Sequence, residues 1–240
     1  ELVYVWSSSG ATATVQRGML GSIPAAHTSG AIVYVNPRWS NFTIFAALNE
    51  DLASLSAPTN GLYQMKTVDL TYSPAITGYD LTAVTDILSV YDVRTDTYGP
   101  AKDWPRLARN VLARNQNTGD FPSGFALQLF EGGYPGKTMR VQYRAPFAPF
   151  AALTDNLTVT GLPATAADLP PLGALWRLVA PREIKRSTTD SQPESRTATE
   201  VPPGTSRQTA AGLMSLRQLR IKEEAARLAQ MYPPLSRRTA

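Results

Sequence analysis

Cysteine is absent from the 240 residues and histidine occurs once, at His27. The first absence excludes a disulfide framework, thiolate metal ligation and a cysteine nucleophile. It also fits assembly in a reducing cytoplasm. The second excludes zinc sites built on several imidazoles, including the helical His-Glu-x-x-His arrangement. A Ser-His-Asp triad would have to use His27, and no Gly-x-Ser-x-Gly elbow accompanies it. The expected role of His27 is to pin a loop through a backbone hydrogen bond. No Walker-type phosphate loop occurs, because Gly132-Gly133-Tyr134-Pro135-Gly136-Lys137 has neither its spacing nor its context. No apolar run approaches the ~20 residues of a bilayer-spanning helix, and no signal-peptide pattern is visible. Scattered Asp and Glu residues leave a two-carboxylate hydrolase open, without any spacing that favours it.

What is present is unevenly distributed. The formal charge is +4, but residues 182–240 hold 11 basic and 6 acidic side chains against 12 and 13 in the remainder. A nearly neutral body with a basic tail points to an acidic partner or nearby nucleic acid, and a solvated helix face explains the same charge. The chain opens at Glu1 without an initiator methionine and runs straight into strand-like Leu2–Trp6. That opening reads as the continuation of an upstream segment.

Periodicity divides the chain into five stretches: 1–61, 62–165, 166–181, 182–212 and 213–240. In the first, Leu2–Trp6, Thr12–Gln16 and Ala31–Val35 read as strands, with a turn at Ser7-Ser8-Ser9-Gly10. Phe42, Phe45, Ala46, Leu48, Asn49, Leu52 and Leu55 recur at helical steps, with Ser40 or Asn41 as cap and Pro58 and Gly61 as terminators. From Leu62 the chain is β-rich, with strands expected at Leu62–Thr71, Asp86–Arg94, Arg109–Asn115, Phe125–Phe130 and Thr138–Tyr143. Glu131–Gly136 reads as a hairpin loop between the last two. Leu169–Val179 follows as a helix with Pro170-Pro171 in its first turn. Arg182–Gly212 is poor in large apolar residues and is expected to be an extended arm. In the final helix Met214, Ile221, Ala225, Leu228 and Tyr232 make an apolar stripe, with Arg217, Arg220, Glu224 and Arg227 on another face. Tyr91, Arg94, Tyr98, Lys102, Trp104 and Arg106 interleave aromatic and basic types, a mixture that binds single-stranded nucleic acid or sugar but arises more often from a core tryptophan with surface charge.

Thr14-Val15-Gln16-Arg17-Gly18-Met19-Leu20-Gly21-Ser22, then Ala25-Ala26-His27 and Gly30-Ala31, resembles a strand–loop–strand signature of phage structural proteins. Asn36-Pro37-Arg38-Trp39 leads on into the helix carrying Ala47-Leu48-Asn49-Glu50, and this order is similar to that of head-to-tail adaptor (connector) proteins of tailed phages. The resemblance implies an α+β fold: a helical core with an inserted sandwich- or barrel-like β domain, an N-terminal β-hairpin, and an extended C-terminal arm ending in a helix. It implies a virion neck protein assembled in the host cytoplasm, with no catalytic step, cofactor or metal. Its partners would be copies of itself in a ring of about twelve, the portal protein, a downstream neck or tail protein, and DNA passing through the lumen without sequence-specific binding. Arg217, Arg220, Arg227, Arg237 and Arg238 would face the portal or a neighbour, and Met214, Ile221, Leu228 and Tyr232 would form the packed stripe. On this view, deleting everything after Gly212 spares monomer folding and abolishes docking. Two other readings are a tail, baseplate or fibre protein with a β-rich attachment domain, and a hydrolase or carbohydrate-binding module.

Overall fold

The computed structural model describes residues 1–35, 37–81, 84, 86–98, 104–152, 154–189 and 205–235, with only the backbone path given at 181–189 and 205–207. Among these the fold is mixed α+β, with three sheets and three α-helices. The chain divides into two compact units, Glu1–Leu52 with Pro149–Asn156 and Ala167–Leu219, and Ala53–Ala148 with Leu157–Ala166 and Arg220–Ala240.

The first unit opens with the antiparallel ribbon of β1 (Tyr4–Ser9) and β2 (Thr12–Gln16), paired from Tyr4↔Gln16 to Ser9↔Thr12 with a register shift between Val5 and Ser7. The reversal falls at Gly10-Ala11, later than the expected serine turn, so β1 outlasts its apolar residues. Ala31–Val35 does not form the expected strand. Its β-branched side chains suit a ladder, but no strand among the described residues pairs with it, and strand propensity is realised only against a neighbour. The helix α1 (Asn41–Leu55) begins where Ser40 Oγ accepts a hydrogen bond from Thr43 N at 3.0 Å, the expected cap.

The second unit is built on two three-stranded sheets, both antiparallel. In one, β3 (Gln64–Thr71) and β5 (Ser89–Thr95) flank β8 (Thr138–Ala145). In the other, β4 (Gly78–Asp80) and β6 (Asn110–Arg114) flank β7 (Phe125–Leu129). β4 is too short to show periodicity and was not expected. Alternation along β8 sends Met139, Val141 and Tyr143 inward, where they join Val93, Leu81, Tyr79, Leu127 and Leu129 in one core. Side chains from both sheets meet in that core.

Glu131–Gly136 is not a hairpin loop. β7 and β8 belong to different sheets, and each already has a neighbour on both edges, so the segment between them crosses from one sheet to the other. The crossing ends against β3, where Tyr72 N donates to Lys137 O and Gly136 N donates to Tyr72 O, both at 2.9 Å. Gly133 lies so close to the Tyr72 ring that a Cβ there would sit 3.0 Å from it.

Two more helices run longer than the sequence suggests. α2 spans Leu169–Thr189 and α3 spans Thr205–Met231. Both enter the stretch expected as an extended arm, of which only 190–204 is left, outside the described residues. Scarcity of large apolar residues signals that a segment is not buried. It says little about helicity where Arg, Lys, Glu, Gln and Ala dominate. Pro170 and Pro171 do occupy the first turn of α2, where the missing N–H groups have no helical acceptor to lose.

Leu127→Ala is expected to lower the unfolding free energy by about 2–5 kcal/mol, and Val111→Ala, on an exposed neighbouring position, by less than ~1 kcal/mol; urea titration would measure both. Arg140, opposite Asp69 in the β3–β8 ladder, donates two hydrogen bonds to its carboxylate and holds that group below the ordinary value of 3.8. The stabilisation is therefore present above that value and lost as pH falls through the lowered folded-state one. Thermal melts of wild type and Asp69→Asn should differ modestly at neutral pH and converge on acidification.

Candidate functional site

The first unit holds charge inside and apolar surface outside, an inversion that marks it as the candidate site. α1 buries Ala47, Asp51, Leu52 and Leu55, so an acid occupies the middle of its apolar stripe. Asp51 is 0% exposed. Its Oδ1 lies 2.7 Å from Arg217 Nη2 and 3.6 Å from Arg177 Nε, and its Oδ2 accepts from Arg217 Nε at 3.2 Å. Burial pushes this carboxyl above the ordinary aspartate range, and the Arg217 and then the Arg177 guanidinium oppose that shift. α2 approaches α1 closely at Gly173. A Cβ on Gly173 would fall 1.9 Å from Asp51 Cγ, so no other residue type fits that position without moving the helix.

The neighbouring residues of α1 carry the same pattern. Arg177 Nη1 also pairs with Glu50 at 3.1 Å. Asn49 donates from Nδ2 to Phe150 O at 3.1 Å and accepts Phe150 N at 2.9 Å, which ties Pro149–Asn156 to the helix. The Asn49-Glu50-Asp51 run is thus the polar organiser of the unit: Asn49 holds Pro149–Asn156, Glu50 holds α2, and Asp51 holds both α2 and α3.

At the N-terminus a second set of ties fixes the loop after β2. Glu1 accepts from Arg17 Nε at 2.7 Å and from Ala25 N at 3.3 Å, and His27 Nε2 lies 2.8 Å from its Oε2. Its carboxyl is held well below the usual range, first by the Arg17 hydrogen bonds and then by those from His27 and Ala25. His27 therefore does tie a loop, through a carboxylate and not through the backbone. Ser22 Oγ accepts Leu2 N at 2.9 Å.

Above these ties the surface is apolar. Every residue of β1 and β2 is exposed, including Trp6 at 65%. Ile32, Val33, Tyr34 and Val35 are exposed at 79, 75, 65 and 82%. An apolar groove of about 630 Å³ runs between this segment, the start of β1 and the start of α1, where Phe42 and Phe45 line it. Scattered exposed apolar residues are ordinary, but a run of this kind signals a surface that is covered in use.

α3 answers the expectation for its own residues in several ways. Ala210, Arg217, Ile221, Glu224 and Leu228 are buried, and their spacing of three, four and seven places them on one side of the helix. Arg217 and Glu224 thus belong to the buried stripe, not to an outward charged face. Arg217 faces Asp51. In the second unit Glu224 pairs with Arg227 at 2.7 Å and with Arg220 at 3.8 Å, and Arg220 also pairs with Glu223 and donates to Thr165 O at 2.8 Å. Tyr232 meets Tyr91 edge-on at 5.9 Å. Met214, expected in the packed stripe, is 45% exposed. Arg237 and Arg238 lie outside the described residues. Asp51, Arg177 and Gly173 were not anticipated; the signal available was an acid interrupting the apolar spacing of α1 and a glycine inside a helical pattern.

Among the described residues no group of His, Asp or Glu side chains is arranged to hold a metal ion, and no helix is long and apolar enough to cross a membrane. No protein-family model matches the chain, and no curated protein matches it either.

Breaking the buried pair from one side should be costly and breaking it from both sides much less so. Asp51→Leu or Arg217→Met alone is expected to destabilise by about 3–5 kcal/mol, because the partner charge is left buried, and the Asp51→Leu/Arg217→Met double variant should recover a large part of that. A double-mutant cycle by chemical denaturation reads the coupling directly. Truncation after Gly212 removes Arg217 as well, so it should destabilise the first unit, contrary to the expectation of a detachable tail.

Proposed function

We propose that this chain is a structural subunit of a tailed-phage particle, a head-to-tail adaptor that closes into a ring in the neck and joins the portal to the tail around a DNA conduit. The observation that carries this reading is the apolar surface of residues 3–35. A ribbon with both faces in solvent is marginal alone, and Ala31–Val35, of strand-favouring composition, pairs with no strand among the described residues. Such elements are stabilised by a neighbouring subunit. A contact of this kind joins unlike surfaces of successive copies, and heterologous contacts of fixed rotation close into rings.

In the finer architecture proposed here, the helices form the ring core, the β-rich unit is a sandwich-like insertion between them, and the stretch after α2 reaches toward the portal. The burial of Arg217 and the pairing of Arg220 and Arg227 within the chain alter one part of that picture. They assign these arginines to internal cohesion, and they leave Leu216, Leu219 and Met231, all exposed on α3, as its contact residues toward neighbours or the portal. The function is then geometric: matching the portal to the tail, retaining packaged DNA, and leaving a passage for it. No chemical step is assigned.

A second reading, a tail, baseplate or fibre component, is favoured by the share of the chain given to β structure in the second unit. The two differ in symmetry. Electron cryomicroscopy of the native particle should show a ring of about twelve copies against the portal; a threefold peripheral object would assign the fibre reading instead. In the purified protein, Ile32→Asp with Val33→Asp should abolish oligomers in analytical ultracentrifugation while leaving the far-ultraviolet circular dichroism unchanged.

A further inference from the structure

β3 stands at the edge of its sheet, and the bonds of β8 show which of its backbone groups are left over. Thr138 O and Arg144 O accept from Asp96 N and Leu88 N on the β5 side, both at 2.8 Å. Residues 138, 140, 142 and 144 therefore serve β5, and the alternate residues 139, 141, 143 and 145 serve β3. The β3 partners of that second set are Leu70, Val68, Lys66 and Gln64. Met65, Thr67, Asp69 and Thr71 then aim their N–H and C=O groups away from the sheet. Among the described residues no backbone hydrogen bond answers them.

The start of this edge is closed and the rest is open. A charge on the core-facing row of an edge strand opposes strand addition, and Lys66 occupies that row opposite buried Tyr143. Gly161 also packs against Gln64. Beyond Lys66 the edge has no such guard. Thr67, Asp69 and Thr71 are exposed, and the β3–β8 pairing runs to Thr71 without a bulge to twist it away. Val68 and Leu70, on the core-facing row, are only partly buried against the core.

We propose that residues 31–35 of a second copy add to this edge as a further strand, opposite residues 67–71. The inference rests on the assembly reading above and names the surface that its apolar segment meets. The segment is five residues of strand-favouring type without a ladder, and the open edge is five residues long. Centring one on the other sets Val33 opposite Asp69. Period-two alternation then lays Ile32 and Tyr34 over Val68 and Leu70, the two apolar side chains that the sheet leaves half covered. Main-chain bonds supply the affinity of such an addition and the alternate side chains its register. Donor and acceptor are unlike surfaces, so each copy gives one strand and receives one, the heterologous contact that a closed ring requires.

Thr67→Pro deletes an outward N–H while leaving every bond to β8 in place, a substitution that an edge strand tolerates. In analytical ultracentrifugation of the full chain it should weaken self-association by about tenfold or more, through one lost main-chain bond and a ring in the path of the incoming strand. Val33→Pro should do the same from the donor side. Because the chain has no cysteine, mixing a Val33→Cys chain with an Asp69→Cys chain under mild oxidation should give a dimer of the two variants, since directly opposed strand residues lie within disulfide reach. A Thr67→Pro protein that assembles like wild type overturns the pairing and leaves the assembly reading standing, whereas a wild type that stays monomeric at every concentration overturns both. Asp69→Cys chains that link to one another in preference to Val33→Cys would mean that edges pair with edges, and the proposal fails. Should Thr67→Pro not fold by circular dichroism, the cross-link between the two cysteine variants decides.

Discussion

Asp51 is sealed from water, and the first unit is arranged around the requirement that a charge in that position be answered. Two guanidiniums reach it from different helices, and a third helix position, Gly173, gives up its side chain to let the backbone come close. These are interdependent conditions. Without Gly173 the helices separate and the ion pairs lengthen, and without Arg217 the close approach buries an unanswered carboxylate. A hydrophobic residue at 51 would tolerate many registers of α1 against its neighbours, whereas a buried ion pair with one good geometry tolerates few. Specificity of this kind is obtained at some loss of stability.

The inversion of polarity follows from that arrangement. A unit that uses charged side chains to order its interior has less apolar material to place there, and here Trp6, Ile32, Val33 and Val35 remain in solvent. In the second unit the usual distribution holds: Leu81, Val93, Leu127, Met139 and Val141 are fully buried between sheets whose outer faces carry Arg94 and Arg140. The β-rich unit places its apolar side chains in one buried core. The first leaves its ribbon and residues 32–35 in solvent, and that is the surface the proposed assembly would cover.

The parts legible in the sequence are those governed by local rules. Ser40 caps α1, the proline pair opens α2, and the alternating strands of the β region emerge within a few residues of their expected ends, because capping, φ restriction and period-two patterning act over a handful of positions. What was not legible depends on partners distant in the chain. The Glu131–Gly136 segment looks like a hairpin loop by composition, and only the pairing of β7 with β4 and β6 shows otherwise. Ala31–Val35 has the composition of a strand without a neighbour to make it one. The buried stripe of α3 was misjudged because Arg217 and Glu224 were sorted by polarity, although their spacing from Ile221 and Leu228 placed them inward.

Both sheets of the second unit share one property of chain order: the strand at the centre is the last of the three to be made. β4 and β6 have no partner until Phe125–Leu129 exists, and β3 and β5 have none until Thr138–Ala145 exists. A nascent chain leaving the ribosome therefore carries unpaired strands through most of the synthesis of this unit, and then completes two sheets within about twenty residues of elongation, a matter of seconds. Native ladders cannot accumulate one hairpin at a time, so folding is deferred and then cooperative, with long-range closure setting its pace. During that delay the exposed strands need protection from one another, and chaperones become part of the cost of making this chain.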